Sequence, residues 1–205
     1  TPYGGVVYDL TESLSAYASY TSIFAPQTKR SKDGAWLAPV TGKNYETGLK
    51  ADWMDGRLTT NFAVFRIEQE NAAEAISGEF VNGSSEQAYR ATKGAVSKGA
   101  EFEVNGAVTE NLQLTFSATR YVARDIEGRF NSYAPQTQLK LFSRYRLPVL
   151  ADLTLGGGVN WQNRVYKDVT GPDGETQRLY QGSYPLVDLF AQYQLTKQLA
   201  VQANI

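Results

Sequence analysis

The 205-residue chain has no cysteine and no histidine, and it contains a single methionine. Without Cys there can be no disulfide, thiolate metal site or thiol nucleophile. Without His there is no Ser-His-acid triad, no HExxH zinc helix and no imidazole acid or base. Catalysis would be left to carboxylates, Tyr, Lys, Ser and Thr, so the expectation is a protein that is not an enzyme and needs no cofactor. Charge is scarce as well: 20 Lys and Arg against 21 Asp and Glu give a net charge of -1, which is no footprint for nucleic acid. No apolar run approaches the ~18 residues of a membrane-spanning helix. No charged n-region or signal peptide opens the chain. It begins on Thr1-Pro2-Tyr3 and stops on Asn204-Ile205 inside a strand pattern, and is expected to be a piece of a longer protein.

What is abundant is aromatic and small: 13 Tyr, 9 Phe, 3 Trp and 18 Gly. Aromatic and β-branched side chains fit a pleated surface, which favours β structure. Alternation with period two bears this out, because it sends successive side chains to opposite faces of a strand. In one run Leu153, Leu155, Gly157, Val159, Trp161 and Val165, broken only by Asn163, oppose Thr154, Gly156, Gly158, Asn160, Gln162 and Arg164. Tyr45, Thr47, Leu49, Ala51 and Trp53 oppose Glu46, Gly48, Lys50 and Asp52. Phe102 and Val104 oppose Glu101, Glu103 and Asn105, with Lys98 an exception near one end, and Leu139, Leu141, Tyr145 and Leu147 oppose Gln138, Lys140, Arg144 and Arg146. The segments Leu14 to Phe24 and Leu58 to Gln69 are mixed.

Short turns and long polar connections alternate between the strands. The turns are Asp9–Ser13, Met54–Gly56, Thr109–Asn111, Pro148–Asp152 and Thr196–Gln198; Asp55-Gly56 suits a tight hairpin because Gly accepts positive φ. The long connections run from Ala25 to Gly42, Ala72 to Ala91, Arg124 to Pro135 and Lys167 to Ser183, and include Thr170-Gly-Pro-Asp-Gly-Glu175. This spacing predicts ten strands in five hairpins. Strands of about ten residues at ~3.3 Å each, tilted ~45°, rise roughly 23 Å, close to the ~25 Å apolar band of an outer-membrane barrel. Trp53, Trp161, Tyr145 and Tyr193 fall near strand ends, where an interfacial girdle belongs. A soluble antiparallel sandwich with one face in its core remains open on pattern alone.

The constellations that could carry chemistry are weak. Glu101 and Glu103 share a face at a spacing roughly compatible with a glycosidase pair, but adjacent carboxylates are also common wall residues. Gly156-Gly157-Gly158 lacks the Gly-Lys-Ser/Thr and the helix that a phosphate cradle needs. More telling is the polar parity as a whole. It is expected to collect Glu46, Asp52, Glu68, Glu101, Glu103 and Asp188 with Lys50, Arg66, Lys140, Arg144, Arg146 and Arg164. Such a face suits a watery lumen or one filled by a polar domain. The same Lys or Arg facing lipid at mid-bilayer would cost about 2–4 kcal/mol each.

Several stretches resemble the C-terminal barrel region of TonB-dependent siderophore receptors of the bacterial outer membrane. They are Tyr17-Ala-Ser-Tyr-Thr-Ser-Ile-Phe-Ala-Pro-Gln27, Gly42-Lys-Asn-Tyr-Glu-Thr-Gly-Leu-Lys50, Arg57-Leu-Thr-Thr-Asn-Phe-Ala-Val-Phe-Arg-Ile-Glu68, Ser97-Lys-Gly-Ala-Glu101, Leu155-Gly-Gly-Gly-Val-Asn-Trp-Gln162 and Leu186-Val-Asp-Leu189. The likeness covers essentially the whole chain and is nearest to receptors for ferric hydroxamate siderophores, the coprogen and rhodotorulic acid receptor and the ferripyoverdine receptors. It implies an all-β, multi-pass, up-and-down transmembrane barrel of 22 strands, about ten of them here, with short periplasmic turns and long extracellular loops. By the same resemblance, residues 1–205 are the C-terminal part of the barrel domain, without the plug domain, the TonB-contacting segment or the final strands. The implied function is import of a ferric siderophore, the transported ligand, with TonB-transmitted energy; the implied partners are that ligand, TonB, the protein's own plug and outer-membrane lipid. A passive porin and a soluble carbohydrate-binding or glycosidase sandwich are the competing readings.

Ten strands ~4.8 Å apart, tilted ~40°, would close to only about 20 Å across, too narrow for a plug or an iron complex. Transport must therefore belong to a larger barrel. An oxygen-chelated ferric complex asks its receptor for shape, aromatic surface and hydrogen bonds rather than metal ligands. The candidate ligand contacts are loop residues Trp36, Tyr133 and Tyr180, with Tyr121, Arg164 and Tyr166, whose parity is expected to point inward near the long-loop end.

Overall fold

The computed structural model describes residues 1–205 except Lys93, Ile126, Glu127, Arg129 and Asp173. The last four fall within the third and fourth expected connections, and that part of each lies outside the described residues. Among the described residues all regular structure is β. Ten strands form one antiparallel sheet: β1 (Tyr3–Thr11), β2 (Leu14–Ala25), β3 (Val40–Trp53), β4 (Leu58–Glu70), β7 (Ala95–Ala107), β8 (Leu112–Asp125), β9 (Thr137–Arg146), β10 (Leu153–Gln162), β13 (Tyr184–Gln194) and β14 (Ala200–Asn204), paired in that order. Two further hairpins stand outside this sheet, β5 (Ala73–Phe80) with β6 (Gln87–Ala91), and β11 (Val165–Thr170) with β12 (Thr176–Gln181). The ten wall strands and their short turns answer the expectation, whereas two of the long connections expected to be loops carry hairpins of their own.

Register follows from the alternation. Tyr45 pairs with Tyr20 on one side and Arg66 on the other, Phe62 with Leu49 and Phe102, and Leu141 with Phe116 and Val159. A slip of one residue would send every apolar side chain to the other face, so the pattern itself pins the pairing. The β3–β4 turn is tight: Met54, Asp55 and Gly56 take φ of 55°, 56° and 78°.

The register corrects part of the expected polar parity. Because Arg66 sits between Tyr45 and Lys98, and Glu68 between Lys43 and Val96, both lie on the apolar face. The mixed run Leu58–Gln69 hides this, since Phe65 and Ile67 occupy the polar parity beside them. Arg164 is corrected too: β10 ends at Gln162, so Arg164 and Val165 are not wall residues.

Among the described residues, no other part of the chain covers the apolar face of the ten-stranded sheet. On the apolar face Leu49 is 45% exposed, Phe62 47%, Leu141 40% and Leu189 56%. The buried apolar residues are Ala63, Val81, Ala88 and Ala123, far too little for a water-soluble core. A face of exposed Leu, Val and Phe ringed by Trp53, Tyr145 and Tyr193 at the turn end must be covered from outside. A soluble sandwich would have put a second sheet there.

Candidate functional site

The opposite face is built for water. Glu46 on β3 accepts a hydrogen bond from the Tyr17 hydroxyl of β2 at 2.7 Å, and the Lys50 ammonium lies 5.0 Å from the same ring. Thr119 of β8 reaches Glu101 of β7 at 3.5 Å, and Thr115 reaches Asn105 at 2.9 Å. Glu101 and Glu103 therefore stand in this wall, one of them tied to a neighbouring strand. Charge varies along the wall. Glu46 and Asp52 share β3 with Lys50, Glu101 and Glu103 lie on β7, and Lys140, Arg144 and Arg146 lie on β9. A concavity of about 560 Å³ lined by Arg144, Asp188, Phe190 and Gln202 belongs to this wall, away from the loop end.

At the long-loop end the connections brace one another in two pairs. In the first, the loop after β2 docks on the β5–β6 hairpin. Tyr89 donates its backbone N–H to Arg30 O at 2.8 Å, and Asn82 donates to Lys32 O at 2.9 Å. Lys29 lies 4.7 Å over the Tyr89 ring, and Lys32 pairs with Glu79 at 3.2 Å. Val81 and Ala88 are buried inside this small assembly, which has its own apolar centre. Gln27 further ties the loop to Asn71 O at 2.8 Å and to Ala38 O.

The second pair joins the loop before β9 to the β11–β12 hairpin, where Tyr166 donates its backbone N–H to Ser132 O at 2.8 Å. Across that hairpin Arg178 holds Asp168 through two hydrogen bonds of 2.7 and 3.0 Å, and its guanidinium lies 4.2 Å over the Tyr166 ring. Arg178 presses the Asp168 carboxyl below its ordinary value, chiefly by hydrogen bonding.

The predicted contacts are distributed as follows. Trp36 is in the first loop, 60% exposed, with the Arg30 guanidinium 4.1 Å from its ring. Tyr121 is on β8 in the polar parity, opposite Gly99, and its backbone N–H reaches Gln136 O at 2.8 Å. Tyr133 is exposed in the loop before β9. Tyr166 and Tyr180 face each other across β11–β12, and Tyr180 is 78% exposed. Arg164 is exposed just before β11, and Tyr166 stands in the hairpin rather than on the wall, contrary to the parity expectation. The structure thus gathers Tyr133, Arg164, Tyr166 and Tyr180 in one braced pair of connections, with Trp36 in the other and Tyr121 below, on the wall. Tyr89, Arg30, Asp168 and Arg178 escape the sequence reading, although alternation on either side of Gly171-Pro-Asp-Gly174 is a hairpin signal.

A single curved antiparallel sheet, apolar outside, charged within, with short turns at one end and long braced loops at the other, is a section of wall from a transmembrane β-barrel. β1 and β14 are its unpaired edges, so the ten strands do not close among themselves. Residues 1–205 match the family model described as TonB dependent receptor-like, beta-barrel. The chain is 38% identical over its whole length to the ferripyoverdine receptor of Pseudomonas aeruginosa, covering 26% of that protein. It is 28% identical over 98% of its length to the ferrioxamine B receptor of Salmonella typhimurium, covering 28% of it. Among solved structures, it superposes on the P. aeruginosa outer-membrane ferripyoverdine receptor bound to ferripyoverdine with a TM-score of 0.84, over 99% of this chain and 28% of that one. The alcaligin outer-membrane receptor of Bordetella pertussis gives 0.72 at 37% identity, over 99% of this chain and 33% of that one. The chain belongs to the TonB-dependent receptor family and forms part of its outer-membrane barrel. It spans about a quarter of the length of the curated relatives it matches.

Proposed function

We propose that the chain is the C-terminal part of the barrel of a receptor that binds a ferric siderophore, of hydroxamate type, and imports it with energy transmitted by TonB. The observation that carries this reading is the pairing of exposed aromatic and arginine side chains on two braced loop assemblies with a charged wall beneath them. In this family the named relatives are receptors for ferripyoverdine and ferrioxamine B. Trp36, Tyr133 and Tyr180 offer aromatic surface to a bulky chelate, while Arg164 and the Tyr121 and Tyr166 hydroxyls offer donors to its oxygen shell. The iron arrives as part of the substrate, already coordinated. Below it, the mixed charges of β3, acidic β7 and basic β9 suit a polar plug held by many individually weak pairs, which a mechanical pull can release in turn.

The test is uptake of radio-iron loaded on a hydroxamate siderophore by iron-starved cells carrying the complete receptor. Accumulation that saturates and vanishes when TonB is deleted supports the reading. Unsaturable, TonB-independent entry would make the protein a passive pore and overturn it.

A further inference from the structure

The sequence holds two Asn-Gly dipeptides, Asn82-Gly83 and Asn105-Gly106, and the fold sets them in opposite surroundings. In such a pair the backbone nitrogen of the glycine can attack the asparagine carboxamide, because glycine has no Cβ to hinder the approach. How freely the chain can bring the two together decides whether it does. Asn105 lies within β7, between Thr59 of β4 and Thr115 of β8. Its Oδ1 accepts a hydrogen bond from the Thr115 hydroxyl at 2.9 Å, and its backbone carbonyl accepts one from the Thr59 hydroxyl at 3.2 Å. Gly106 pairs with Leu58 and Leu114, and a Cβ there would meet the Arg57 carbonyl. Neither reacting group can move without opening the wall.

Asn82 and Gly83 stand instead at the exposed tip of the β5–β6 hairpin. The tip is a turn closed by the Ser84 N–H on Val81 O at 3.0 Å, with Gly83 at φ 77°. Positive φ at that position is what a type II turn requires, and Gly takes it freely. Among the described residues neither the Asn82 carboxamide nor the Gly83 N–H has a hydrogen-bond partner. The nucleophile and the carbon it would attack are therefore both free, at a loop tip where local opening costs least. The same turn carries the brace to the first loop. The Asn82 N–H donates to Lys32 O at 2.9 Å, and next to it the Val81 N–H donates to Glu86 O at 2.8 Å above the buried Val81 side chain.

We infer that Asn82 is a site of spontaneous deamidation, and that this modification releases the β5–β6 hairpin from the first loop. The Gly83 nitrogen bonds to the Asn82 side-chain carbonyl carbon. The carbon–nitrogen bond of the carboxamide breaks, and ammonia leaves carrying the proton that Gly83 N–H gives up. Water, the only co-reactant, then opens the cyclic imide at one carbonyl or the other. One opening leaves an aspartyl residue; the other leaves an isoaspartyl residue, with the main chain rerouted through the side-chain carbon. The isoaspartyl form lengthens the backbone by one methylene inside the turn, so the Ser84 N–H no longer closes on Val81 O and the Lys32 contact beside it loses its frame. Both products add a negative charge to a hairpin end that already carries Glu79 and Glu86. The step is not reversed by the protein, so the modified fraction grows with the age of the receptor.

The experiment ages the complete receptor in detergent at mildly alkaline pH and follows the two Asn-Gly peptides by mass spectrometry, with isoaspartyl methyltransferase labelling to tell the products apart. Conversion at Asn82 is expected to run roughly tenfold or more faster than at Asn105, where the wall must first open locally. In denatured receptor the two rates should converge, a comparison that needs no variant. Amide protection over residues 26–39 and 73–91 should fall as Asn82 converts. It should hold in Asn82→Gln aged in parallel, because glutamine has to close a larger ring and does so far more slowly. Equal rates in the folded receptor, a difference that persists in denaturant, or full protection of both segments once Asn82 has converted would each overturn the proposal.

Discussion

Arg178 grips Asp168 with both ends of its guanidinium while stacking on Tyr166, so one side chain clamps the two strands of the β11–β12 hairpin. The clamp is exposed and electrostatic, and it should respond to pH in a definite direction. The Asp168 carboxyl titrates below its ordinary 3.8 in the folded hairpin. Its contribution is therefore fully present above that ordinary value and is lost as pH falls through the depressed one. Amide protection over residues 165–181 of the complete receptor, taken relative to the intrinsic exchange rate at each pH, should hold at neutral pH and drop in that acid window. Asp168→Asn should already show the lower protection at neutral pH, with no acid step left.

The polar wall is flattened by glycine under aromatic rings. A Cβ on Gly48 would meet the Phe62 carbonyl and lie 2.8 Å from the Tyr17 ring. Gly156 is covered in the same way by Phe190. Gly48→Leu would force Tyr17 off Glu46 and bow β3 away from β4, at a cost of about 1–3 kcal/mol. Gly4, with nothing within 4 Å of its would-be Cβ, is the comparison, and Gly4→Ala should be silent. Urea unfolding of the receptor in detergent, followed by heat-modifiable mobility, reads both.

Facing decides the cost of a charge. Phe62→Arg and Leu141→Arg place a guanidinium on the apolar face in the middle of strands β4 and β9, for a loss of about 2–4 kcal/mol each. Next to Leu141, Lys140 already bears a charge on the polar face without penalty. Folding into bilayers should fail or slow for the two arginine variants, and Lys140→Arg should fold as the wild type.

How far these features were legible follows from their range. Tyr45 to Trp53 and Leu153 to Gln162 reveal their faces because period two is written in neighbouring residues. Met54-Asp-Gly56 declares its turn for the same local reason. Arg66 and Glu68 misled because Phe65 and Ile67, beside them, fill the polar parity near the loop end, where the Phe65 ring lies over Gly99 of β7. Only the pairing of Arg66 with Tyr45 and Lys98, from strands distant in sequence, fixes their side. Tyr89 under Lys29 and Tyr166 on Ser132 are contacts between separate loops, and such contacts leave no periodicity to read. The aromatic residues of the candidate site could thus be listed from sequence, but their grouping could not.

That grouping makes the last prediction the most discriminating for function. Val81 and Ala88 are the apolar centre on which the first loop and the β5–β6 hairpin rest, and Ala88 is fully buried. Val81→Asn buries an amide without a designed partner, which costs about 1–3 kcal/mol. The loss falls on the loop assembly, since the wall strands pair independently of it. Amide exchange should rise over residues 26–39 and 73–91 while the unfolding midpoint of the barrel holds. If Trp36 and its loop contact the siderophore, affinity measured by tryptophan quenching should fall in this variant as far as in Trp36→Ala. The Asp168→Asn variant, which loosens the other pair, should weaken binding through Tyr166 and Tyr180 without disturbing the first. Unchanged affinity in both would move the ligand off the braced loops and onto the wall around Tyr121.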